Sequence, residues 1–96
     1  MTKKEEEVIH IPINGTLDLH MFAPQESDDL VEEYLRACLE RGILEVRIIH
    51  GKGRGILRRK VHSLLERHPL VEDFRLDGGP SGWGATIARL KKANHQ

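Results

Sequence analysis

The segment from Val46 to Arg59 leaves this chain few choices of fold. Val46-Arg47-Ile48-Ile49 is a short, mostly β-branched apolar run, the mark of a buried strand. His50-Gly51-Lys52-Gly53-Arg54-Gly55 follows, with glycines and cations alternating. Ile56, Leu57, Val61, Leu64 and Leu65 then recur at helical spacing and predict the buried face of a helix. A buried strand that passes through a glycine turn into a helix is half of an α/β layered unit. Glycine permits positive φ and the close approach of another backbone or a ligand. The first N–H groups of the helix have no partner within it and lie at the positive end of its dipole. Strand, glycine loop and helix start therefore make an anion site, to which Lys52 and Arg54 add full charges. The expected ligand is a phosphate group.

The rest of the chain supplies matching elements. Val8 to Ile13 alternates weakly and reads as a short edge strand limited by Pro12. Asn14-Gly15 marks a turn. Thr16 to His20 reads as a strand, with Leu17 and Leu19 on one face and Asp18 and His20 on the other. Leu30, Val31, Tyr34, Leu35, Cys38 and Leu39 form one helical stripe, which Pro24 or Ser27 opens and Gly42 closes. Leu44 to Ile49 is the next strand, and His68-Pro69 ends the second helix. Val71 to Leu76 and Ala85 to Leu90 are further strands on either side of a glycine-rich loop. The order β-α-β-α-β-β predicts a two-layer α/β sandwich with a small, mainly parallel sheet, because a strand–helix–strand crossover implies parallel pairing. Residues 1–13 are expected to be an N-terminal arm, 14–91 the domain and 92–96 a tail.

With 96 residues, 39% of them apolar, the chain suits a single core. No apolar run approaches the ~20 residues that span a bilayer, and no signal-peptide pattern opens the chain. A cytoplasmic setting without membrane contact is expected. The one cysteine, Cys38, cannot close an internal disulfide and reads as a small core residue. Formal net charge is zero, which argues against coating nucleic acid by bulk charge. The distribution is uneven, however. Val46 to Leu70 carries seven cations and one anion, whereas Pro24 to Glu45 carries seven anions and two cations. A basic field beside an acidic one suits docking a polyanion in one orientation.

Ligands of open α/β sheets gather beyond the carboxyl ends of parallel strands. Asp18 and His20 lie at that end of one strand, and His50 with its glycine loop lies at that end of another. Neighbouring strands are about 5 Å apart, so Asp18, His20, His50, Lys52 and Arg54 are expected in one patch. A carboxylate and imidazoles beside a phosphate cradle can perform general acid–base chemistry on a phosphodiester, or hold a divalent ion. Each also has a structural reading: Asp18 as an anchor for loop N–H groups, His20 as a donor, His50 as a cap on the glycine turn. His10, His62, His68 and His95 are dispersed and read as surface or structural residues. No histidine pair has zinc-site spacing, so no structural metal is expected. The loop matches neither a Walker A sequence nor the dinucleotide fingerprint. In the second glycine loop, Trp83 is either a stacking platform for a nucleobase or a side chain packed over the sheet edge.

Three motifs in this order resemble those of the Smr (small MutS-related) domain family. They are Leu17-Asp18-Leu19-His20, then His50 to Gly55 with Leu57-Arg58, then Gly82-Trp83-Gly84-Ala85-Thr86. The resemblance runs from about Leu17 to Leu90. It implies a two-layer α/β sandwich similar to the carboxyl domain of translation initiation factor three. It also implies nucleic-acid binding, with nicking or ribonuclease activity in some members. The sites that it implies fall on Asp18, His20, His50, Lys52, Arg54 and Arg58. Joined with the reading of the loops, it makes Asp18, His20 and His50 the catalytic candidates. Nucleic-acid contacts are expected from Gly51, Lys52, Gly53, Arg54, Gly55, Arg58, Arg59, Trp83 and Gly84. Met21 stands where many members have glycine, and a bulky side chain there is expected to narrow the approach. The leading expectation is a stand-alone Smr domain that binds branched or structured DNA or RNA and cuts it as an endonuclease. The alternatives are a non-catalytic binding module and a small phosphometabolite or nucleotide enzyme. The sequence fixes neither a divalent metal requirement nor an oligomeric state.

Overall fold

Apolar residues on one side of each strand decide the architecture. The computed structural model describes residues 11–53, 55–79 and 84–92. Strand β1 (Thr16–Asp18) leads through 3-10 turns at Leu19–Met21 and Pro24–Glu26 into helix α1 (Ser27–Glu40). Strand β2 (Glu45–Ile49), helix α2 (Ile56–Arg67) and strands β3 (Val71–Leu76) and β4 (Ala85–Leu90) follow. The sheet order is β1-β2-β4-β3. Both crossovers step the same way across the sheet, so the usual right hand sets both helices on one face. There Leu17, Val46, Ile48, Ala88 and Leu90 meet Val31, Leu35 and Cys38 of α1 and Val61, Leu64 and Leu65 of α2. Cys38 is fully buried, and burial pushes its thiol above the ordinary range, as expected of a core sulfhydryl.

The two-layer sandwich and its element order are those expected, but the sheet is mixed rather than mainly parallel. β1 pairs parallel with β2, whereas β4 pairs antiparallel with both β2 and β3. The connection over 77–84 is too short for a parallel crossover, which needs about a dozen residues. β4 therefore turns back along β3 and inserts between β3 and β2. The expected strand from Thr16 to His20 stops at Asp18, where the 3-10 turn begins. Ile11–Ile13 of the expected edge strand takes no strand conformation, and Val8 to His10 lie outside the described residues. So do 1–10 of the expected arm and 93–96 of the expected tail. Ile56, placed by periodicity on the buried face of α2, is 55% exposed. It is the first residue of the helix, ahead of the turn that reaches the core.

Two tethers set the position of β1 and of the helix pair. The Tyr34 hydroxyl of α1 accepts the Gly15 N–H at 3.1 Å and lies 2.9 Å from the Thr16 carbonyl. At the far end, His68 Nε2 lies 2.6 Å from Glu32 Oε1, while His68 Nδ1 accepts the Leu70 N–H. Partial burial pushes the Glu32 carboxyl up, but hydrogen bonds from Arg36 and His68 outweigh it and hold it below its ordinary value. No described helix is long and apolar enough to cross a membrane.

Candidate functional site

At the end of β1 the Asp18 carboxylate caps the 3-10 turn. Its Oδ1 accepts the His20 N–H at 2.9 Å and the His20 Nδ1–H at 3.0 Å. The sequence pairs these residues by strand alternation, but the structure pairs them by this cap. A short carboxylate that can accept both N–H groups favours the turn over another strand residue. The consequence for chemistry is definite. Nδ1 donates to the carboxylate, so a neutral imidazole carries no hydrogen on Nε2. That nitrogen has no hydrogen-bond partner among the described residues, and the side chain is 58% exposed.

His20 Nε2 rests against Gly51. Gly51 has φ +85°, and a Cβ there would sit 2.5 Å from His20 Nε2. The left-handed φ favours glycine, and a larger residue there would also displace the His20 ring. The Gly51 N–H donates to the Gly84 carbonyl at 2.8 Å, and the His50 N–H donates to the same oxygen at 2.9 Å. Gly84 thus holds the third motif against the second, with its Cα face 3.6 Å from Lys52 Cγ when measured from an added Cβ. The parallel pairing of Asp18 with Ile49 brings the first motif alongside. His20, Arg47, Ile49, Gly51, Lys52 and Gly84 line one open cavity of about 520 Å³. Met21, expected to narrow the approach, does not line it and is 75% exposed.

The cationic rim continues into α2. Lys52 and Gly53 are exposed, and an added Cβ at Gly53 would meet nothing within 4 Å. Gly55 caps α2 with φ +83°, and no side chain caps that helix. Its first turn holds no acidic residue, so the dipole's positive end is not neutralised locally. The Arg58 and Arg59 guanidinium groups lie over Gly55, where an added Cβ would be 2.9 Å and 3.5 Å from their nearest nitrogens. Arg54 and Trp83 lie outside the described residues.

His50 is placed differently from His20. It is 5% exposed, and both ring nitrogens have partners: Nδ1 donates to the Gly51 carbonyl, and Nε2 faces the Thr86 hydroxyl at 2.8 Å. Burial holds its imidazole below the ordinary value, more strongly than the Gly51 carbonyl raises it. Four residues escaped the sequence reading of the site. Arg47 and Ile49 line the cavity because they alternate with buried Val46 and Ile48, a period that was there to be read. Arg47 Nε also donates to Asp77 at 2.8 Å, a bond that holds the Asp77 carboxyl low. Thr86, the last residue of the third motif, joins the site from β4, and His62 joins it from α2 with no local signal. Among the described residues, no three His, Cys, Asp or Glu side chains gather as metal ligands.

A family model for the Smr domain matches residues 17–91. The chain is 45% identical over 80 residues to Endonuclease MutS2 of Brevibacillus brevis, covering 82% of this chain and 10% of that protein. It is 40% identical over 91 residues to Endonuclease MutS2 of Clostridium botulinum, covering 93% of this chain and 12% of that protein. The chain therefore spans about a tenth of the length of these relatives. The crystal structure of the Smr domain of Thermus thermophilus MutS2 is similar, with TM-score 0.74 and 30% identity over 81% of this chain and 99% of that one. YdaL, a stand-alone small MutS-related protein from Escherichia coli, gives TM-score 0.74 and 28% identity over 84% of this chain and 67% of its own. With its motifs placed around one cavity on this fold, the chain belongs to the Smr domain family.

Proposed function

We propose that the chain binds structured DNA or RNA at the glycine cradle and hydrolyses a phosphodiester beside His20. The observation that carries the reading is the Asp18–His20–Gly51 arrangement. A carboxylate fixes one imidazole nitrogen, the other has no hydrogen-bond partner among the described residues, and the residue lines a cavity together with Lys52. The names of the similar MutS2 proteins, endonucleases, support the same chemistry. In this reading His20 Nε2 takes a proton from a water whose oxygen attacks phosphorus. The bond from phosphorus to the leaving oxygen breaks, and that oxygen keeps the electron pair and is protonated from solvent. Lys52, which lines the same cavity, meets the developing negative charge. Asp18 holds the ring and stabilises the imidazolium. His50, with both ring nitrogens engaged, shapes the turn rather than exchanging a proton.

The test is cleavage of branched, flapped, single-stranded and duplex DNA and RNA, with and without divalent ions. His20→Ala and Asp18→Asn are expected to lower cleavage ~100-fold or more, with affinity little changed. If both variants stay folded and cut at the wild-type rate, the reacting group lies elsewhere. If the wild type binds but cuts nothing under any ion condition, the chain is a binding module of this fold. Saturable binding of a mononucleotide with a shallow salt slope would instead indicate a nucleotide enzyme.

A further inference from the structure

The glycine turn is held from the core side by a chain of hydrogen bonds that begins on α2. His62 Nε2 lies 2.7 Å from the Thr86 hydroxyl oxygen, and His50 Nε2 lies 2.8 Å from the same atom. At its other nitrogen, His50 Nδ1 lies 3.0 Å from the Gly51 carbonyl. A carbonyl only accepts, so His50 Nδ1 carries the hydrogen. Burial favours the neutral ring, so His50 Nε2 is an acceptor and the Thr86 hydroxyl donates to it. That uses the only hydrogen of the hydroxyl. Thr86 can then only accept from His62, whose Nε2 must carry a hydrogen. The chain runs one way, from His62 through Thr86 and His50 to the Gly51 carbonyl.

Each member sits where a lost partner is costly or visible. Thr86 is fully buried, so an unmatched hydroxyl there is not repaired by bulk water. The half-buried His62 ring packs on Phe74, with centroids 4.9 Å apart, and meets His50 edge-on at 6.0 Å. Arg58 acts on both rings, Glu66 on His62 and His20 on His50, yet none of the three is a member of the chain. Gly51 is the backbone on which His20 Nε2 rests, and its N–H is already held by Gly84. We propose that His62 is a positioning residue for the His20 site, fixing the Gly51 peptide through Thr86 and His50. The activity arm of this inference rests on His20 as the proton acceptor, whereas the geometric arm does not.

Two substitutions separate the hydrogen bond from packing. His62→Phe keeps a ring on Phe74 and deletes the donor. His62→Gln gives up the ring and keeps an N–H of similar reach. In wild type, NMR of the ring nitrogens should show His50 in its Nδ1–H form. His62→Phe should move the Gly51 amide and His20 ring signals and lower kcat about tenfold with KM little changed. His62→Gln should return the signals and most of kcat. Wild-type signals and kcat in His62→Phe would overturn the inference, and so would failure of His62→Gln to restore them. If His62→Phe does not fold, Thr86→Val against Thr86→Ser asks the same question, with the serine variant expected to match wild type. If the wild type cleaves nothing, hydrolysis fails as a function, and the NMR shifts alone decide whether His62 positions the turn.

Discussion

Two imidazole systems meet at Gly51 and bond the same side chain in opposite ways. On the outside, the His20 side chain is 58% exposed, that of Asp18 is 46% exposed, one ring nitrogen is tied, and His20 lines a cavity. On the inside, His50 has both nitrogens engaged and lies under the turn. Both histidines sit beside the glycine motif, and sequence reasoning made both catalytic candidates. What separates them is hydrogen-bond capacity. A ring with a nitrogen left open can exchange a proton with a substrate, whereas a ring matched on both sides fixes geometry. The single carbon at Gly51 is the wall between these systems.

Thickening that wall gives the largest expected effect. Gly51→Ala forces a left-handed φ on a residue with a Cβ, which costs roughly 1–2 kcal/mol. The new Cβ would also lie 2.5 Å from His20 Nε2, so the imidazole must leave its place. The expected loss is about 2 kcal/mol or more of stability by urea denaturation, together with loss of cleavage. Gly53→Ala has open space around it and no left-handed φ, so a change within about 0.5 kcal/mol is expected. Adding His20→Ala to Gly51→Ala should recover the steric part and leave the φ part. If Gly51→Ala is as harmless as Gly53→Ala, the two systems do not share this wall.

A smaller effect is expected from the rim, on binding alone. Lys52 is exposed, lines the cavity and makes no ion pair among the described residues. Lys52→Ala should weaken binding to all sequences alike and lower the salt slope of affinity by about one. Its folded stability and the His50 ring signals should not move. An unchanged slope would remove the cradle from the nucleic-acid interface and leave the outer histidine without a substrate to act on.

The fold was more legible than the inner half of the site, for physical reasons. β3 and β4 lie at Val71–Leu76 and Ala85–Leu90 as their patterns predict, because Pro69 and Gly78 flank the first run and Gly84 precedes the second. The antiparallel return of β4 along β3 was legible in the short 77–84 connection, but its insertion between β3 and β2 was not, since no pattern within the strand sets its place in the order. Asp18 and His20 lie together as expected, but through a local carboxylate cap rather than strand alternation. Gly51 and Gly55 take the positive φ that the glycine loop suggested. His62 was read as structural or surface, because it meets Thr86 across 24 residues of chain and Thr86 meets His50 across 36. Contacts that distant leave no periodic trace.

Acid distinguishes the inner system by the smallest effect. Burial lowers His50 and His62 from the ordinary 6.5. The Gly51 carbonyl opposes this at His50 and Glu66 opposes it at His62, while Arg58 reinforces it at both. The unfolded chain therefore takes protons at these rings first as pH falls below 6.5. More protons bound in the unfolded state mean that stability rises with pH, so it must fall on acidification. The fall begins near 6.5 and stops once pH is below the folded-state values. Hydrogen bonds also hold the Asp73, Asp77 and Glu32 carboxyls below their ordinary 3.8, 3.8 and 4.5, so their contribution is lost only below about pH 5. A decline in urea midpoint between about pH 7 and pH 5 then belongs to the imidazoles. His62→Gln removes one titrating ring and keeps its N–H, so its midpoint should match wild type near neutral pH and decline less steeply. A level midpoint across that range would mean that the folded chain protonates these rings as readily as the unfolded one. In that case the His62–Thr86–His50 chain is open to solvent, and the contrast with His20 disappears.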